Sequence, residues 1–173
     1  FGGIAAFNTV VTADAAQAMA DLFLEVVVAP SFHEDALAVL AAKKQLRVVE
    51  LPVGQGEGQL DYKRVRGGFL VQDRLVFSGA EANWQVVSER APSDAEYDAL
   101  RFAWAAVASV KSNAILLARG ERAIGVGAGQ MSRVDSVFLS IQKARAAGHA
   151  TEGAALASDG FFPFADGVEE AAK

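Results

Sequence analysis

The residues of this chain best equipped for chemistry lie between Val110 and Val137, in VKSNAILLARGERAIGVGAGQMSRVDSV. Asn113 offers an acceptor and a donor on one short side chain, so it can hydrogen-bond a carbonyl or a carboxamide; the same residue type also serves as a turn former. Arg133 presents a planar fork of donors that matches phosphate or carboxylate. Ahead of it Gly125, Gly127 and Gly129 alternate with Val126 and Ala128, and Ser132 is a candidate N-cap for a helix. A glycine run ending at a helix start gathers unpaired backbone amides and the positive end of the helix dipole, which suits an anion. Arg133 is then either an arm of an anion site or a surface cation paired with Asp135 or another neighbour. The glycines are not spaced GxGxxG and no Gly-Lys-Ser/Thr follows, so the run is neither a dinucleotide fingerprint nor a Walker A loop.

Other candidates are more isolated. Glu25 opens the apolar run Val26–Val28, as a solvated strand-end group or as a ligand for a polar substrate. Phe161, Phe162 and Phe164 surround Pro163 and precede Asp166, a spacing that fits ordinary core or an aromatic face beside a carboxylate. His33 reads as a capping or surface histidine at a helix start.

The elements that must position these groups alternate strand and helix, which makes the fold class α/β. Ala114–Ala118 (AILLA) reads as a buried strand, Arg119-Gly120-Glu121 as a turn, and Arg122–Val126 as the hairpin partner. The helix after Ser132 carries Val134, Val137, Phe138 and Ile141 on one face and ends at Gly148, a favoured C′ residue. Ser93 and Glu96 form a capping box that starts a helix with Tyr97, Leu100, Trp104 and Val107 in one stripe and Phe102 elsewhere.

Upstream, Thr12 caps a helix from Ala13 to about Phe23, with Ala16, Met19, Ala20 and Phe23 on one face. Val26–Val28 is a strand, and 31–45 a helix with Leu37, Val39 and Leu40 inside. Leu46–Val53 is another strand, and Gly54–Gly58 (GQGEG) marks the subdomain boundary. The stretches DYKRV, GGFLVQD, RLVFSG and WQVVSE between Asp61 and Glu89 are β-like, and Ala154–Ala157 is a last short strand.

Composition sets outer limits. The 173 residues are 52% hydrophobic and 21% charged, a globular chain long enough for one sizeable core or two small ones. A net charge of −5 argues against a nucleic-acid surface, and the Lys63, Arg64, Arg66 and Arg74 cluster lacks a stacking array. No cysteine and two scattered histidines, His33 and His149, argue against a disulfide framework and a metal site. No apolar run reaches spanning length and no signal sequence opens the chain, so a cytoplasmic protein away from membranes is expected.

Three ordered runs carry a resemblance: SNA at Ser112–Ala114, GVGAGQMSRVDSV at Gly125–Val137, and SDGFFPFADGVEEAA at Ser158–Ala172. FGGIAAFN from Phe1, FLEVVVAPSF from Phe23, LRVVELP from Leu46 and RGGFLVQDR from Arg66 extend it over nearly the whole chain. Together they closely resemble the aminoimidazole carboxamide ribonucleotide (AICAR) formyltransferase part of a bifunctional purine biosynthesis enzyme whose other half is an inosine monophosphate cyclohydrolase. The resemblance implies a three-layer, cytidine-deaminase-like sandwich in duplicated units, residues 1–53 ending a first and 54–173 forming most of a second. The Cys ligands and the His-x-Glu signature of a zinc deaminase are missing from the sequence.

The resemblance also implies a homodimer in which AICAR takes a formyl group from the co-substrate 10-formyltetrahydrofolate at its 5-amino nitrogen. Gly2, Glu25, Asn113 and Arg133 would face the nucleotide, with Asn113 orienting it or stabilising an oxyanion. Val134, Phe161 and Asp166 would face the folate, the aromatics serving a planar pterin. At Glu25 the family often carries the shorter Asp, and Gly160 and Ala165 stand where relatives usually show Ala and Arg. The family's Lys-His pair and C-terminal histidine have no counterpart in this sequence, so a piece with little transferase activity of its own is expected. Two alternatives stand beside this one: a non-catalytic nucleotide-binding or dimerisation piece, and another α/β transferase that binds nucleotide without folate.

Overall fold

The computed structural model describes residues 1–54, 60–74 and 80–173, and the chain divides into two compact units, Phe1–Arg74 and Leu75–Lys173. Residues 55–59 of the expected link and 75–79 of the RLVFSG run lie outside the described residues.

The first unit alternates β1 (Gly3–Ala6), α1 (Ala13–Ala18), β2 (Leu24–Ala29), α2 (Glu34–Leu40) and β3 (Arg47–Glu50). Its three strands are parallel in the order β1-β2-β3, and the register Ala5↔Val27↔Val48 sets one face. Val27 and Ala29 on that face are buried with Val11, Ala16, Met19, Ala36 and Leu40. Thr12 caps α1 by accepting from the Ala15 amide. The helix stops at Ala18, short of the expected Phe23, because the chain must turn through Leu22 to enter β2; Met19 stays in the core while Phe23 is exposed. The second helix is likewise shorter than expected. Seven residues bury only the Ala36 and Leu40 positions, one turn apart, and leave Leu37 outside. An antiparallel hairpin, β4 (Leu60–Val65) and β5 (Gly68–Asp73), follows, turning at Gly67 with φ +91°.

The second unit holds an antiparallel sheet in the order β7-β6-β8, made of β6 (Ile115–Arg119), β7 (Arg122–Gly127) and β8 (Ala155–Ser158). Helices α3 (Asp94–Val107), α4 (Arg133–Ala146) and α5 (Asp166–Ala171) complete it. Both faces of β6 are covered, which is why AILLA is apolar without alternation. Ala114, Leu116 and Ala118 join Ala103 and Val107 of α3, while Ile115 and Leu117 join Val137, Ile141 and Ala144 of α4. The layers within this unit are therefore helix, sheet, helix, in an α/β arrangement.

The capping box at Ser93 forms as expected: Ser93 Oγ accepts from the Glu96 amide and Glu96 Oε2 accepts from the Ser93 amide at 2.8 Å. The buried face of α3 differs from the expected stripe. Ala99, Ala103 and Val107 face the sheet with Phe102 packed beside them, and Trp104 is 42% exposed. Trp104 and Tyr97 instead meet Trp84, at ring separations of 5.9 and 5.6 Å, which draws the WQVVSE segment onto the helix as irregular chain and not as a strand.

Candidate functional site

In the second unit the site is built where β6 begins, α4 begins and β8 ends. Pairing of Ile115 with Ser158 across β6 and β8 brings Asp159 beside Ala114, and the Ala114 amide donates to Asp159 Oδ1 at 2.9 Å. On the other side, Gly129, in the left-handed region at φ +67°, donates its amide to the Lys111 carbonyl at 2.8 Å. Asn113 Nδ2 donates to the Gln130 and Met131 carbonyls at 2.9 and 3.2 Å, and the Ser112–Asn113 peptide is cis. Both protons of the Asn113 amide are used within the chain. Its Oδ1 accepts from no described residue.

Arg133 is the first residue of α4, and its guanidinium turns back over the strand ends. Nη1 donates to the Ala114 carbonyl at 3.3 Å and forms an ion pair with Asp159. The partner is neither of the residues nearest in sequence; Asp135 is exposed. Both members of the pair are largely buried, with side chains 13% and 17% exposed. Nε of Arg133 is fully buried and has no partner. Burial pushes the Asp159 carboxyl up, but hydrogen bonds from the Ser112 hydroxyl, the Ala114 amide and Arg133 outweigh it and hold the group below the usual carboxylate range. Ser132 takes the N-cap position with extended φ and ψ, yet contrary to expectation its side chain makes no cap bond. The start of α4 thus lacks the usual N-cap side-chain acceptor for its first-turn amides.

The glycines have a different task from the expected anion cradle. A Cβ on Gly127 would lie 2.7 Å from the Ser136 carbonyl carbon, nearer still to its oxygen, and one on Gly125 would lie 2.9 Å from Ala144 Cβ and against Ser140. Residues i and i+2 of a strand are about 6.6 Å apart and residues i and i+4 of a helix about 6 Å. Gly125 and Gly127 therefore match Ser140 and Ser136, and the missing side chains let the helix backbone rest directly on β7. The buried face of α4 accordingly reads Ser136, Val137, Ser140, Ile141 and Ala144, while Phe138 is 52% exposed and Val134 half-buried. Ser136 Oγ also donates to the Asn113 carbonyl at 2.8 Å, tying helix to site.

After Asp159, the aromatics separate. Phe162 packs into the α4 core and against Gly167, whereas Phe161 and Phe164 are 82% and 73% exposed. Asp166 opens α5 and accepts the Gly167 amide at 2.7 Å while remaining exposed. Gly160 lies against Arg133, where a Cβ would come within 3.0 Å of Nη2. A cavity of about 650 Å³ opens at the opposite end of β6, lined by Trp84, Tyr97, Leu100, Ala118, Arg119 and Leu156. None of the candidate residues lines it.

Within the first unit, Gly2 and Glu25 are brought together. The Gly2 amide donates to Glu25 Oε1 at 2.6 Å, and a Cβ on Gly2 would sit 2.9 Å from Glu25 Cγ, so glycine is what fits. Arg47 approaches the other carboxylate oxygen at 4.0 Å, an exposed pair of little energetic weight. His33 is the N-cap residue of α2 without a side-chain cap bond. Among the described residues no three His, Asp or Glu side chains converge to hold a metal ion, and no helix is long and apolar enough to cross a membrane.

A family model described as "AICARFT/IMPCHase bienzyme" matches residues 1–143. The chain belongs to that family. Curated relatives carry the name "Bifunctional purine biosynthesis protein PurH". Those of Magnetococcus marinus, Enterococcus faecalis and Myxococcus xanthus are each 48% identical over all of this chain, which covers 34% of each relative. The chain thus spans about a third of the length of the bienzymes it matches. Asp159 is the member of this candidate site that the sequence does not point to. For Arg133 the sequence offers Asp135 or another neighbour, while the partner arrives through strand pairing 26 positions away. The signal in the sequence is an Asp two residues beyond a strand expected to end at Ala157.

Proposed function

We propose that this chain is part of an AICAR formyltransferase of de novo purine biosynthesis, cytoplasmic and homodimeric, built from deaminase-like units. AICAR and 10-formyltetrahydrofolate are its substrates. Family membership over the matched length supports the assignment. The observation that carries it to a site is Arg133: a largely buried cation at an uncapped helix start, with a fully buried Nε lacking any acceptor. Such a group suits an anionic ribonucleotide.

In this reading Arg133 and the first-turn amides of α4 hold the nucleotide, and Gly2 and Glu25 supply further nucleotide contacts of the first unit. Val134, Phe161 and Asp166 meet the folate; the exposed Phe161 ring is available for stacking. In the transfer the amine attacks the formyl carbon, which becomes tetrahedral while its oxygen turns negative; the carbon–folate nitrogen bond then breaks as the proton lost by the amine passes to the leaving nitrogen. Asn113 orients the nucleotide through its free Oδ1. Its amide protons are already given to Gln130 and Met131, which argues for orientation and against oxyanion stabilisation.

One observation favours binding without turnover in the isolated chain. His149 follows the far end of α4, about 20 Å along the helix from Arg133. Proton transfer at the nucleotide amine therefore has no histidine of this unit to draw on. Calorimetric titration of the purified chain should show saturable 1:1 binding of AICAR, weakened at least about tenfold by Arg133→Ala, with negligible formyl transfer. Absence of AICAR binding, or equal binding by the variant, overturns the assignment; normal turnover overturns the inactive-piece reading.

A further inference from the structure

Asp159 receives donors from both sides of the candidate site: the Ala114 amide at 2.9 Å from the entry to β6, and Arg133 Nη1 from α4. Nη1 donates in addition to the Ala114 carbonyl at 3.3 Å. The guanidinium is thereby held at one end. Its other edge, Nε and Nη2, has no acceptor among the described residues, and Nε is completely buried. A guanidinium carries several donors in a fixed plane, and a clamp on Nη1 with Nε buried leaves Nη2 as the donor open to a ligand.

We propose that Asp159 is a positioning residue for nucleotide binding: its carboxylate clamps the Nη1 end of Arg133, so that Nη2 is presented, already ordered, to the anionic group of the nucleotide. The proposal rests on the reading of this site as a nucleotide site. Its physical basis is preorganisation. A long arginine side chain has several rotatable bonds to immobilise, and a clamp fixes them before the ligand arrives. The clamp also supplies the countercharge that keeps a mostly buried guanidinium from standing alone. Removing Asp159 therefore makes the cation freer and the ligand weaker, although simple electrostatics predicts that deleting a carboxylate near an anion site strengthens anion binding.

That opposition of sign makes the test sharp. AICAR is titrated into the wild-type chain, Asp159→Asn, Arg133→Ala and the double variant, each first checked for cooperative thermal unfolding. The clamp predicts an affinity about tenfold weaker for Asp159→Asn, just under the coupling seen for close charge pairs. In the Arg133→Ala background, Asp159→Asn should change affinity by less than about twofold, because its effect travels through Arg133. Unchanged or tighter binding by Asp159→Asn overturns the proposal, as do losses that multiply in the double variant. If Asp159→Asn does not fold, Asp159→Glu, which keeps the charge and displaces it by one methylene, replaces it with the same criteria. If the wild type takes up no AICAR, the nucleotide reading has failed, and the clamp is judged by the nitrogen-15 resonance of Arg133 Nε–H. Slow hydrogen exchange in the wild type, lost in the variant, supports the clamp; identical exchange overturns it.

Discussion

Replacing Gly127 by Ala puts the contact between β7 and α4 under direct test. The new Cβ would stand 2.7 Å from the Ser136 carbonyl carbon and 2.9 Å from Ser136 Cα, both backbone atoms of a helix fixed by its own hydrogen bonds. Ordinary carbon–carbon contact begins near 3.5 Å, so helix and strand must part by about 1 Å. Overpacking typically costs about 1–3 kcal/mol, and an obstacle of helix backbone places Gly127→Ala at about 3 kcal/mol or above. For a unit of roughly 100 residues that is a fall in melting temperature of more than about 10 °C. Circular dichroism melts of Gly127→Ala and Gly125→Ala would be set against Gly68→Ala, where no atom lies within 4 Å of the new Cβ and the change should stay within about 0.5 kcal/mol. A Gly127→Ala protein melting within about 2 °C of wild type would refute close helix–strand approach as the reason for the glycines.

Ser93→Ala removes the acceptor of the Glu96 amide and should lower stability by about 1 kcal/mol in denaturant titration. Glu96 is held down to about 2, chiefly by its hydrogen bonds to Arg90. A depressed carboxylate stabilises the fold above its unfolded value, and that contribution is lost as pH falls from the usual range toward 2. Glu96→Gln should therefore flatten the pH dependence of stability in that window, and a variant profile parallel to wild type would contradict the linkage. Phe69→Ser, on a hairpin exposed along its whole length, should leave the melting of the chain nearly unchanged.

What was legible in the sequence was local. The AILLA strand, its Gly120 turn and β7 follow from apolar runs and a left-handed glycine at φ +56°. The α3 capping box and the Gly148 terminus of α4 are also written in neighbouring residues. Asn113 and Arg133 could be singled out by type. The Arg133–Asp159 pair could not be, because it depends on the register of β6 against β8, a property of the sheet and not of any window. The glycines misled for a related reason: alternation fits both an exposed cradle and a strand touched by a helix, and only the positions of Ser136 and Ser140 separate the two. Helix α5 went unexpected behind the Phe161–Phe164 segment, whose one partly buried ring, Phe162, gives Gly167 its reason for being small.

Backbone amide spectra of the chain, recorded during addition of AICAR, decide whether the junction of β6 and α4 receives the nucleotide. The largest shifts should fall on Asn113, Gln130 to Val134, and Asp159, saturating together. Shifts confined to another surface, with these amides unmoved while AICAR binds, would contradict that placement.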